Sequence, residues 1–86
     1  MGWNYQAGSS GTATLPAGAT ILSIRAESQN AAGSVAILGG TAIPLDGDPT
    51  ANILSLAFPS GQCAVEGATK TVVFTNTVSY FVEYIT

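Results

Sequence analysis

This chain steps in twos. Thr20 to Ser28, Thr50 to Phe58, Thr69 to Thr77 and Val78 to Ile85 each alternate apolar with polar or small residues. Successive side chains of a strand leave on opposite faces, so such stretches can bury one face and wet the other. A helix would need apolar residues three or four positions apart, and no stretch sustains that spacing. Gly, Pro or Asn interrupts the alternation about every ten residues. The pattern predicts an all-β fold: one small antiparallel domain, a β-sandwich or a β-barrel, jelly-roll-like in style.

The parity of each stretch assigns its faces. Leu22, Ile24 and Ala26 share one face of their strand, with Ile21, Ser23, Arg25 and Glu27 on the other. Leu54, Leu56 and Phe58 oppose Ile53, Ser55 and Ala57, while Val72 and Phe74 oppose Thr69, Thr71, Val73 and Thr75. Val78, Tyr80, Val82 and Tyr84 oppose Ser79, Phe81, Glu83 and Ile85. Thr12 to Leu15 alternates polar with apolar residues, and Gln62 to Val65 is a short segment ahead of a break near Gly67. Turns are expected at Pro16-Ala17-Gly18, between Gln29 and Gly33, at Asp46-Gly47-Asp48-Pro49, at Pro59-Ser60-Gly61 and at Asn76-Thr77. Gly39-Gly40 separates two apolar runs, Ser34 to Leu38 and Thr41 to Leu45, as a hairpin turn. Pro44 cannot donate to a ladder, which places the second arm at an edge or at a bulge.

The stretch through Gly11 shows no such rhythm and ends in the flexible run Ala7-Gly8-Ser9-Ser10-Gly11. It reads as an extended N-terminal arm, residues 1–11, ahead of a single β domain at 12–86. Trp3 and Tyr5 on that arm either dock on a neighbouring protein or cover the end of their own core.

Charge is scarce. Arg25 and Lys70 are the only cations, against five acidic residues and no histidine in 86, for a formal charge of −3. Nucleic acids and anionic membranes both bind through clustered cations, so neither is an expected partner. The uncharged stretches Ser28 to Leu45 and Pro49 to Val65 are broken by Gly and Pro and keep strand periodicity, so no membrane span is expected. Met1-Gly2-Trp3-Asn4-Tyr5 lacks the cationic and apolar regions of a signal peptide. Synthesis in the cytoplasm is the expectation.

Catalytic and metal chemistry find few candidates. Cys63 is the only cysteine, so there is no intrachain disulfide, and without histidine a transition-metal site lacks ligands. Asp46 and Asp48 flank Gly47 but are too few for a calcium loop, and they read as turn residues bonding their own backbone, as does Glu66. Lys70 is the only amine side chain available as a base, and an exposed Lys in a strand commonly guards a sheet edge. No enzyme activity, metal or cofactor is expected. Arg25 and Glu27, two apart on one face, form either a solvated ion pair or a register-setting subunit contact.

A core this small, with neither disulfide nor metal to supplement it, predicts a homo-oligomer. Uncharged outward faces point the same way, because on a lone monomer they invite edge pairing. Trp3, Tyr5, Arg25, Glu27, Tyr80 and Tyr84 are the candidate interface residues, with a core or sheet-face role left open for the two tyrosines.

The run from Thr71 to Tyr84, Thr-Val-Val-Phe-Thr-Asn-Thr-Val-Ser-Tyr-Phe-Val-Glu-Tyr, together with Gly33-Ser34-Val35-Ala36-Ile37-Leu38-Gly39-Gly40, resembles small β-rich structural proteins of tailed-phage virions, in particular capsid decoration or cement proteins. The resemblance implies a non-enzymatic virion protein, often trimeric, seated on the major capsid protein and stabilising the shell. A phage tail or fibre component and an extracellular carbohydrate-binding or adhesive module are the alternative functions.

Overall fold

The two-residue rhythm becomes eight strands in the computed structural model, which describes residues 2–28, 33–45, 52–59 and 63–86. They are β1 (Trp3–Gly8), β2 (Gly11–Leu15), β3 (Thr20–Ser28), β4 (Ser34–Ile37), β5 (Ile43–Pro44), β6 (Asn52–Ala57), β7 (Lys70–Thr75) and β8 (Ser79–Ile85). The acidic turn at 46–49, the loop at 29–32 and the turn residues Ser60 and Gly61 lie outside the described residues. No helix occurs among the described residues.

Two antiparallel four-stranded sheets pack face to face: sheet A in the order β1-β8-β3-β6 and sheet B in the order β2-β7-β4-β5. The sandwich alternative therefore holds, and the closed barrel does not. Apart from β4 and β5, consecutive strands lie in opposite sheets, and the pairs β1·β8, β2·β7, β3·β6 and β4·β5 nest inside one another. Between the sheets lie Ala13 and Leu15 of β2, Ile24 and Ala26 of β3, Val35 of β4, Val72 and Phe74 of β7, and Val82 and Tyr84 of β8, all buried. Each large apolar side chain here contributes about 1.5–3 kcal/mol by leaving water.

The expected arm is an edge strand. Trp3–Gly8 pairs with β8 from Trp3↔Ile85 to Gly8↔Tyr80, and reciprocal Gly2/Thr86 backbone bonds of 3.0 Å extend the ladder. Its alternation is inverted: Asn4, Gln6 and Gly8 share the face of Tyr84, Val82 and Tyr80, while Trp3, Tyr5 and Ala7 face outward. That inversion hid it from a reading that looks for apolar residues on the buried side.

One turn is displaced, one joins the two sheets, and one strand carries a bulge. In the β4–β5 hairpin the positive φ values fall on Leu38 (51°) and Gly39 (78°), closed by Gly40 N–H to Ile37 C=O at 2.9 Å, so the turn sits one residue earlier than Gly39-Gly40. Asn76 (φ 53°) does make a tight turn, yet β7 and β8 do not pair, and the chain passes from sheet B to sheet A there. In β3 the register against β8 shifts between Ile21 and Ser23, and this bulge turns Ile21 into the core, against its parity. Lys70 also differs from expectation, because β7 is an inner strand and Lys70 guards no edge. Pro44 does lie on an edge strand, β5.

One corner is braced by side-chain bonds to backbone carbonyls. Thr77 Oγ1 donates to Ser9 C=O at 2.5 Å, Ser10 Oγ to Phe74 C=O at 3.0 Å, and Ser28 Oγ to Asn76 C=O at 3.1 Å. Gln6 Nε2 spans the seam between the sheets to Thr14 C=O at 2.6 Å. Beside this corner the Tyr80 ring stacks on Phe74 at 4.1 Å and lies so close to Gly8 that an added Cβ would sit 2.9 Å from Tyr80 Cε2. Gly8→Ala is thus expected to destabilise the fold by about 1–3 kcal/mol in urea unfolding. Gly2→Ala, whose Cβ would meet nothing nearer than 3.8 Å, is expected to be neutral.

Candidate interaction surface on sheet A

The ladders of sheet A align its outward residues in rows. Tyr5, Glu83, Ser23 and Ala57 lie side by side across four strands, and so do Ala7, Phe81, Arg25 and Ser55. Ser79, Glu27 and Ile53 form the next row, and Trp3 and Ile85 lie beyond the first. Diagonal neighbours on a sheet face are within reach of long side chains. Tyr5 accordingly stacks on Phe81, with centroids 5.3 Å apart and planes at 14°, and tilts against Trp3 at 5.9 Å. Trp3 Nε1–H donates to Glu83 Oε2 at 2.8 Å, and Ser23 Oγ donates to the other carboxylate oxygen at 3.1 Å. Glu83 is thereby held against the indole by a charge-assisted bond.

Four of the six sequence-nominated residues, Trp3, Tyr5, Arg25 and Glu27, share this face. Trp3 and Tyr5 are each 57% exposed, so they neither cover the core nor extend on an arm. Arg25 is exposed and makes no ion pair with Glu27; Glu27 instead accepts weakly from Ser79 Oγ at 3.5 Å. Beside Arg25, Ser79 and Phe81 the surface dips into an open depression of about 540 Å³, with Tyr80 completing its lining. Tyr80 and Tyr84 turn inward: Tyr80 stacks on Phe74, and Tyr84 is buried with its hydroxyl 3.4 Å from Gln6 Nε2. Both take the core role left open for them.

Phe81 and Glu83 are members that sequence reasoning did not nominate. Their signal was parity, since they oppose Val82 and Tyr84, but their neighbours Trp3 and Tyr5 come from the other end of the chain. The outer face of sheet B is different in kind. Thr12, Thr14, Thr71, Val73 and Thr75 point outward there without an aromatic ring or a charge.

The arrangement suits recognition. Tryptophan, tyrosine and arginine are the side chains that most often dominate protein interfaces, and here all three stand on one sheet face. Among the described residues, no three His, Cys, Asp or Glu side chains gather into a metal site. Comparison of the chain with family models, with curated proteins and with solved structures found no match.

Trp3 is the only tryptophan, so its fluorescence reports the patch alone. Glu83→Ala should raise acrylamide quenching of Trp3 while changing unfolding free energy by under about 1 kcal/mol, because the bond lies at the surface. Cys63 is half-buried, and desolvation raises its thiol pKa above the ordinary value. The folded state therefore favours the neutral thiol. That stabilisation is complete below the ordinary thiol pKa and is lost as pH rises through the raised one. Alkylation of native protein at neutral pH is expected to be slower than in denaturant and to accelerate as pH rises. Equal rates in the two states would contradict it.

Proposed function

We propose that this chain is a non-enzymatic virion structural protein of the capsid decoration type, which docks on the major capsid protein or another virion protein through the outer face of sheet A. The observation that carries this reading is the Trp3–Tyr5–Phe81 cluster beside Arg25 and Glu83, in which Trp3 and Tyr5 are the only large aromatics exposed among the described residues. An interface anchored by rings and one arginine, with few charges to desolvate, fits a permanent contact between proteins. Such a protein would be made in the host cytoplasm and reside on the particle.

The nested strand pairing supports a finer fold assignment as well. Pairs 1·8, 2·7, 3·6 and 4·5 trace one long hairpin rolled into two sheets, the connectivity of an eight-stranded jelly roll. That architecture serves viral capsid domains and also lectins. The exposed rings give the carbohydrate-binding alternative some support. A sugar, however, stacks on an open ring face, and Tyr5 and Phe81 turn theirs toward each other. The protein-docking reading uses the patch better.

The test is co-sedimentation of purified chain with particles lacking it. Binding at a fixed ratio to the major capsid protein is expected, with Trp3→Ala and Arg25→Ala each weakening it at least about tenfold. Failure to bind particles, association with tails alone, or binding on a glycan array abolished by Trp3→Ala would overturn the reading.

A further inference from the structure

We infer that two copies of this chain pair through β6, edge to edge about a two-fold axis, to join their A sheets into one continuous sheet. The four edge strands, β1, β2, β5 and β6, carry no charged residue. Exposed edges are usually blunted by charge, proline, shortness or a cover. Three of these have such a device. β5 is two residues long and contains Pro44. β1 and β2 are joined by Ser9-Ser10 and lie in contact, and Gln6 reaches from one to cap Thr14 C=O on the other. β6 is six residues long, with no proline, no charge and no register shift against β3.

The ladder phase shows what β6 offers. Phe58 N–H donates to Leu22 C=O at 2.9 Å, which directs the backbone groups of Leu54 and Leu56 toward β3. Those of Ile53, Ser55 and Ala57 point away from β3, where no described strand pairs with them. The side chains are incomplete too: Leu54 and Leu56 face the core yet stay half-exposed, and Ile53 is 54% exposed on the outer face.

A second β6 fits this edge. Antiparallel pairing centred on Ser55 sets Ser55 against Ser55 of the second copy, Ile53 against Ala57 and Leu54 against Leu56. Each residue meets one of its own face, so the inner apolar row continues across the junction without a register conflict. The contact is isologous, and no like charges meet. With the axis normal to the sheet, both Trp3–Tyr5–Phe81 patches look the same way. The pair would thus present two docking patches to one surface, where the second engages at high effective concentration. The pairing deepens the docking reading and rests on it only for what those patches meet.

Sedimentation velocity of the full chain tests the pairing, with far-UV circular dichroism to confirm folding. The wild type is expected at twice the chain mass. Ser55→Pro removes an N–H that points away from β3, so the fold is spared while both central inter-copy bonds are lost. Ser55→Lys sets two like charges opposite each other. Each variant is expected to stay folded and dissociate at least roughly 10- to 100-fold more readily. A wild-type monomer, a trimer, or a dimer indifferent to both substitutions would overturn the pairing. A folded monomer that still binds particles would overturn it and leave the docking reading standing.

Discussion

Sheet A hangs on β8. This last strand carries two ladders at once, to β1 on one side and β3 on the other, and neither neighbour would otherwise touch. Its inward residues, Tyr80, Val82 and Tyr84, supply core to both sheets, while Phe81 and Glu83 supply the outer face. A single strand therefore couples stability and surface. A substitution that shifts its register by one residue would exchange the two sets and destroy both.

Because the strands pair from the ends inward, the contacts are non-local. β1 can bind only after β8 exists, and the corner bonds from Ser10 and Thr77 join segments over 60 positions apart. Such topologies fold slowly, since loop closure must precede the reward. The polar braces at that corner hold the β1–β2 link to the β7–β8 turn, at the place where an edge strand that buries few apolar groups most needs support.

Much of this was legible in the residues. β3 was expected at Thr20 to Ser28 and occupies those residues, and the inward set of β8 follows its parity. What escaped was information of longer range. Ile21 turns inward because of a bulge set by the partner strand. β1 escaped because its apolar residues face outward, a pattern that tertiary context alone explains. The candidate site was half visible for the same reason: Trp3, Tyr5, Arg25 and Glu27 were nominated singly, but only the β1·β8 register brings Trp3 and Tyr5 onto Phe81 and Glu83.

The scarcity of charge now has a location. The charged residues within strands, Arg25, Glu27, Lys70 and Glu83, all lie on inner strands, and the edges carry none. Among the described edges only β6 has no other device against pairing, and the proposed contact with a second copy lies there. Amide hydrogen exchange at Ser55 tests it most directly. Its N–H points away from β3, so protection that increases with protein concentration is the predicted result. Rapid exchange at Ser55 at every concentration, beside protected amides at Leu54 and Leu56, would contradict it.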